Sequence, residues 1–168
     1  MTRLFFALWP DVEIRHSLLK IRDTLPSDCG RLVPSNNLHI TLVFLGEIST
    51  AKTEYMLESA GQLRIKPVTL ILDHIGWWKK TQVAWLAPSH IPGEIPKIAT
   101  ELAAAAKQRA IKLDQRPYRP HVTLARGVRR EPCLSAFAPV QWPVRGFSLI
   151  QSQTLQAGTR YKEIWSSP

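Results

Sequence analysis

Apolar residues in the first part of the chain change from strand-like to helix-like spacing. Residues 3–8 form a short apolar run rich in β-forming residues, and Pro10 and Asp11 follow it. Asp11 is of a type that caps helices. Behind it, apolar residues recur at helical spacing: Ile14, Leu18, Ile21 and Leu25. We therefore predict a strand and then a helix, which Pro26 and Gly30 bring to an end.

A second strand and helix are predicted next. Residues 38–44 form another β-rich run, closed by Gly46, and Ser49 or Thr50 can cap the helix that follows. The inner face of that helix is predicted to carry Met56, Leu57, Ala60 and Leu63. Residues 68–73 alternate as a strand does, and we expect a turn to begin at Gly76.

The second half of the chain repeats this order of elements. Residues 83–87 resemble a strand, and an alanine-rich helix follows it. The apolar side of this helix is expected to contain Ile98, Leu102, Ala105 and Ala106. Residues 121–125, 144–150 and 161–165 are then predicted as strands. Since strand, helix and a strand that contains a histidine occur twice, we predict an α+β fold: a single domain over residues 1–168, with two pseudo-symmetric lobes.

Composition narrows the class of protein. The chain has 168 residues, of which 45% are hydrophobic and 21% charged, enough for one globular domain with its own core. Because no apolar run approaches the ~18–20 residues of a bilayer span, we expect a cytoplasmic rather than a membrane or exported protein. Lys and Arg number 22 against 13 Asp and Glu, and this net charge of +9 favours an anionic partner.

Two His-x-Thr segments, one in each half, carry the chemistry. Alternate side chains of a strand share a face, so His39 lies beside Thr41, and His121 beside Thr123, at roughly 6–7 Å along the strand. Two imidazoles can hold opposite protonation states near neutral pH and act as general base and general acid, since their ordinary pKa is about 6.5. Threonine hydroxyls can donate to phosphate oxygens. No carboxylate or thiol accompanies either motif, so we expect phosphodiester cleavage with no metal and no cofactor.

The two motifs resemble those of the 2H phosphoesterase superfamily. The segments RLFFAL (3–8), NLHITLVFLG (37–46) and RPYRPHVTLAR (116–126) look like those of bacterial and archaeal RNA 2′,3′-cyclic phosphodiesterases, also called the 2′-5′ RNA ligase family. The resemblance covers essentially the whole chain. It implies a bilobal fold in which two antiparallel sheets form a central cleft, with helices outside. It also implies hydrolysis of RNA 2′,3′-cyclic phosphate ends to 2′-phosphomonoesters.

The resemblance also implies a role for individual residues. It makes His39 the general acid on the 3′ oxygen and His121 the base that activates water, although the near-symmetric motifs do not by themselves assign these roles. Phe5 or Phe6 is implied to stack on a nucleobase, and strand alternation lets only one of them face the cleft. Phosphate binding is implied for Thr41, Thr123 and Arg126.

Other functions fit the same residues. One is a 2′-5′ RNA ligase that joins tRNA halves, or a phosphodiesterase for another small nucleotide. Another is a non-catalytic module that binds RNA ends through its histidines. We expect RNA ends or nucleoside 2′,3′-cyclic phosphates as partners, with tRNA among the candidates, and a monomeric protein.

Overall fold

The computed structural model describes residues 2–132, 136–155 and 158–168. Its three α-helices are α1 (Val12–Arg22), α2 (Thr50–Gln62) and α3 (Glu94–Gln108). The Asp11 carboxylate accepts a hydrogen bond from the Ile14 amide at 2.8 Å, and the Ser49 hydroxyl accepts one from the Lys52 amide at 3.4 Å. The predicted caps are therefore confirmed, with Ser49 rather than Thr50 as the cap of α2. None of the described helices is long and apolar enough to cross a membrane.

Ten β-strands accompany these helices in the described residues. They are β1 (Thr2–Leu8), β2 (Arg31–Leu32), β3 (Ile40–Ile48), β4 (Val68–Leu72), β5 (His74–Trp78), β6 (Val83–Ala87), β7 (Val122–Arg126), β8 (Val140–Val144), β9 (Ser148–Leu155) and β10 (Gly158–Ser166). Two predictions about strands are wrong. Residues 144–150 are not one strand, because β8 ends at Val144 and β9 begins at Ser148.

The second wrong prediction is the turn at Gly76, because Gly76 lies in the middle of β5. It is the cross-strand partner of Trp85 on β6. A Cβ atom at Gly76 would come within 2.2–2.3 Å of the Trp85 ring. Glycine is needed there because the indole lies across the strand, which is a tertiary reason that a turn propensity does not reveal.

The strands form two antiparallel sheets of unequal size, which confirms the predicted α+β class. The larger has the order β10-β9-β1-β3-β7-β6-β5, with β2 also paired to β7, and the smaller contains β4 and β8. Strands β3 and β7, which carry the two motifs, share a single residue pair, Ile40 with Val122. The larger sheet therefore has two four-stranded halves that meet at the start of the motif strands.

The core lies on one face of this sheet. Both Ile40 and Val122 are 0% exposed and belong to the main apolar cluster. Helix α3 packs against β3, and α2 packs against α3. A second, small apolar cluster occupies the opposite face, where Phe5, Ala7 and Ile150 lie beneath Trp9 and Tyr161. The sheet thus has a helix-covered face and an open face floored by aromatic residues.

Candidate active site

The four His-x-Thr side chains lie on the open face of the sheet. Ile40 and Val122 point into the core, so the residues that flank each of them along the strand point the other way. Because β3 and β7 are antiparallel, Thr41 lies toward His121 and His39 toward Thr123. One residue pair in the middle of the sheet therefore brings the motifs of both halves to one place.

The backbone fixes both imidazoles in the same tautomer. His39 Nδ1 lies 2.7 Å from the carbonyl oxygen of Asn37, and His121 Nδ1 lies 2.7 Å from that of Arg119. A carbonyl oxygen only accepts hydrogen bonds, so each Nδ1 carries the proton and donates it. The Nε2 atoms are left for chemistry. That of neutral His39 accepts from the Thr41 hydroxyl at 3.0 Å, whereas His121 Nε2 has no hydrogen-bond partner among the described residues.

A β-bulge in each motif strand turns one further side chain toward the cleft. On β7, Thr123 pairs with Trp85 and Ala125 with Ala84, so Leu124 is an extra residue. Without the bulge, Arg126 and Thr123 would face opposite sides of the sheet, because they are three residues apart. With it, Arg126 is exposed in the cleft, while both residues between them are buried.

Strand β3 has the same irregularity at the equivalent place. There Leu42 is the extra residue opposite β1, and Phe44 is the side chain turned into the cleft, where it is 42% exposed. Burial follows the same sequence of buried, partly buried, buried, buried and exposed residues in both strands, beginning at Ile40 and at Val122. The two halves thus present different groups at matching positions, an aromatic ring in one and a guanidinium in the other.

These side chains line a cleft of about 450 Å³. It contains both histidines, both threonines and three arginines, Arg3, Arg31 and Arg126, and no Asp or Glu lines it among the described residues. A cleft with this lining attracts anions. Strand pairing also brings Arg3, Arg31, Phe44 and Tyr161 into the cleft lining. No role was predicted for them from the sequence, because none is part of a His-x-Thr motif.

His39 is enclosed by the aromatic floor of the cleft. Its ring centroid lies 4.9 Å from that of Phe5, 5.3 Å from Tyr161 and 5.9 Å from Trp9. Burial lowers the pKa of His39 to about 4, and the positive charges of His121, Arg126 and Arg15 act in the same direction. The backbone hydrogen bond to Asn37 opposes this shift only in part.

His121 has a related environment. Its ring meets Trp78 edge to face, with centroids 4.6 Å apart. Burial lowers the pKa of His121 as well, and Arg126 and Arg116 add to the effect. In the ligand-free protein, both imidazoles are therefore neutral near pH 7. For the two imidazoles to hold opposite protonation states at neutral pH, as expected from the sequence, an additional negative charge is needed in the cleft.

Phe5 and Phe6, the two candidates for stacking on a nucleobase, lie in different parts of the protein. Phe6 is 0% exposed and packs in the main core, with ring centroids 6.0 Å from Phe147 and 6.4 Å from Trp165. It does not reach the cleft, so the suggestion that Phe6 stacks on a base is wrong. Phe5 lines the cleft but is only 2% exposed, because His39, Tyr161 and Phe44 surround its ring. The more accessible aromatic surface belongs to Phe44.

The donor set of the site is that of an acid–base centre. In the described part of the chain, no three His, Cys, Asp or Glu side chains are grouped as metal ligands. The cleft instead offers two imidazoles, two hydroxyls and three guanidinium groups. Such groups can transfer protons and hold the oxygens of a phosphate.

Comparisons with known proteins agree with this geometry. A model of the 2′-5′ RNA ligase superfamily matches residues 10–155. The chain is 35% identical over 162 residues to the RNA 2′,3′-cyclic phosphodiesterase of Escherichia coli (strain K12), covering 95% of this chain and 92% of that protein. It is 28% identical over 171 residues to the protein of the same name from Thermus thermophilus, covering 95% and 86%.

Solved structures give the same result. The apo crystal structure of E. coli LigT matches with a TM-score of 0.87 and 32% identity, covering 98% of this chain and 95% of LigT. LigT complexed with 3′-AMP matches with the same score and identity, covering 99% and 98%. The resemblance carried by the two His-x-Thr segments is confirmed, and the chain belongs to the 2′-5′ RNA ligase superfamily.

Proposed function

We propose that this protein is a metal-independent RNA 2′,3′-cyclic phosphodiesterase that opens the cyclic phosphate to a 2′-phosphomonoester. The observation that carries the proposal is the matched pair of imidazoles. His39 and His121 line one cleft, each with Nδ1 tied to a backbone carbonyl and Nε2 left for proton transfer. The names of the E. coli and T. thermophilus relatives support the same activity.

In the proposed reaction, the two Nε2 atoms move one proton each. Neutral His121 takes a proton from water as the water oxygen bonds to phosphorus. The bond from phosphorus to the 3′ oxygen breaks, and protonated His39 gives its Nε2 proton to that oxygen. The phosphate stays on the 2′ oxygen, and each proton transfer contributes ~10²–10⁴ in rate.

Phosphate binding is assigned to the remaining polar groups of the cleft. The hydroxyls of Thr41 and Thr123 and the guanidinium of Arg126 donate to the non-bridging oxygens, where negative charge must be held. Thr41 is released for this when His39 is protonated, because a charged imidazole no longer accepts at Nε2. The negative phosphate in turn favours the charged form of His39, which the free protein disfavours.

Ligation of RNA halves is a second candidate, supported by the superfamily match. A 5′-hydroxyl of a second RNA would replace water as the nucleophile, and His121 would deprotonate it in the same way. The product would be a 2′-5′ linkage, and tRNA halves are the proposed substrates. The acid–base machinery would be unchanged.

The test is to incubate the protein with nucleoside 2′,3′-cyclic phosphates and with short RNAs that end in one, in the presence of EDTA. We expect a 2′-monoester, and loss of turnover in both His39→Ala and His121→Ala. His90→Ala is the matched control, because His90 is exposed and lies outside the cleft lining. Binding without turnover would indicate a binding module, and a 3′-monoester would refute the assigned leaving group. An RNA with a 5′-hydroxyl, added to the same mixture, reports ligation.

A further inference from the structure

Two arginines stand directly opposite each other on one wall of the cleft. Arg31 on β2 is the cross-strand partner of Arg126 on β7, and both are exposed in the cleft. Like charges in this position destabilise a sheet. Neither arginine has an ion-pair partner among the described residues, whereas three other arginines pair with aspartates: Arg22 with Asp23, Arg116 with Asp114 and Arg130 with Asp28.

The backbone holds this arginine pair in place. The amide of Val33 donates to the carbonyl of Leu124 at 2.8 Å, next to the two paired residues of β2. Gly30 precedes Arg31 with φ of +65°, and a Cβ there would lie 2.4 Å from the carbonyl oxygen of Arg126. The backbone just before β2 thus approaches the end of β7 so closely that only glycine fits at position 30. Strand pairing therefore places two arginines opposite each other at the cleft, and no carboxylate of the described residues lines it beside them.

We propose that Arg31, together with Arg126, binds a second phosphate, the phosphodiester that precedes the terminal nucleotide of an RNA end. The inference rests on the proposed function and makes its substrate an oligonucleotide rather than a mononucleotide. A nucleoside 2′,3′-cyclic phosphate has one negative charge, which the threonines and Arg126 already meet. An anion that bridges two guanidinium groups removes their repulsion and adds charge-assisted hydrogen bonds.

The position of the pair suits the neighbouring phosphate of the same strand. Arg126 is three residues beyond Thr123 on β7, at most about 10 Å along an extended strand. Arg126 can therefore contact both phosphates, while Arg31 adds a group that only the second one requires. Guanidinium groups also bind phosphate oxygens in a bidentate way, which favours an ordered backbone over a diffuse ion cloud.

The experiment compares three substrates that end in the same cyclic phosphate. The first is a nucleoside 2′,3′-cyclic phosphate, the second a dinucleotide with a normal internal phosphodiester, and the third that dinucleotide with a neutral methylphosphonate linkage. We expect Arg31→Gln to lower kcat/KM by about 10- to 100-fold on the second substrate only. For the second substrate, we also expect the slope of log(kcat/KM) against log salt concentration to become shallower by about 0.7 in this variant, the value for one phosphate contact on a single strand.

Arg129→Gln is the matched control, because Arg129 is exposed, carries the same charge and does not line the cleft. Equal losses for Arg31→Gln on all three substrates, or no loss on any, would overturn the second phosphate site while leaving the phosphodiesterase in place. A parent protein that turns over none of the three would refute both proposals.

Discussion

The first prediction concerns the charge of His39, because its imidazole must become protonated before it can act as the proposed acid. In the free protein, burial against Phe5, Trp9 and Tyr161 lowers the pKa of His39 to about 4. At pH 7 its imidazole is therefore neutral. A bound cyclic phosphate brings one negative charge into a cleft that has no described carboxylate.

The size of the effect follows from Coulomb's law. An imidazolium about 4 Å from a phosphate gains roughly 4 kcal/mol at an effective dielectric constant near 20. At ~1.36 kcal/mol for each pKa unit, this corresponds to a rise of about 3 units. We therefore expect the pKa of His39 to rise from about 4 in the free protein to roughly 7 in the substrate complex.

The assay is an NMR titration of the His39 ring in the His121→Gln variant. That variant lacks the proposed base, so a nucleoside 2′,3′-cyclic phosphate persists during the measurement and keeps one charge across the pH range. In the parent protein, the pH optimum of kcat should lie above that of kcat/KM, because the first reports the complex and the second the free enzyme. A rise of less than one pKa unit on saturation, with coincident kinetic profiles, would refute His39 as the acid.

Three further outcomes follow from the same structure. The pKa of His39 is lower in the folded protein than in the unfolded chain, so the stability that the neutral imidazole provides above pH 6.5 is lost as the pH falls toward 4. The His39→Gln variant does not have this loss. When the pH is lowered from 7.5 to 4, its unfolding free energy, measured by urea denaturation, should therefore rise by up to about 3 kcal/mol relative to that of the parent protein. Thr123→Val should lower kcat by about 10²-fold with unchanged melting temperature, and Thr123→Ser should restore much of it if the hydroxyl binds phosphate. Gly30→Ala should destabilise the fold by at least about 1 kcal/mol, since its Cβ would meet the Arg126 carbonyl, whereas Gly93→Ala, with open space around it, should be nearly neutral in the same thermal melts.

The proposed catalytic pair, His39 and His121, could be predicted because each His-x-Thr pattern is local in sequence. A two-residue period puts His39 with Thr41, and His121 with Thr123, whatever the rest of the chain does. The three helices were predictable for a similar reason, since a cap and an apolar stripe lie close together in sequence. Helix ends were less well predicted: α1 ends at Arg22, although Leu25 continues its apolar spacing and is buried.

Other features depended on contacts between distant segments. Glycine is typical of turns, but Gly76 lies in the middle of a strand because the Trp85 ring leaves no room there for a Cβ atom. By strand alternation, Arg126 would face the opposite side of the sheet from Thr123, and only the bulge at Leu124 brings both to the cleft. Arg31 enters the cleft only because β2 pairs with β7, and no motif near it indicates that pairing.

The sequence by itself determined the α+β class, the two motifs and the sign of the charge that the site would attract. Each of these follows from short-range periodicity or from simple composition. Tertiary structure decided which aromatic residue faces the cleft, which arginines join the histidines, and that both imidazoles are neutral before substrate binds. The physical reason is that bulges, strand partners and desolvation depend on which distant atoms come into contact, and neither periodicity nor composition records those contacts.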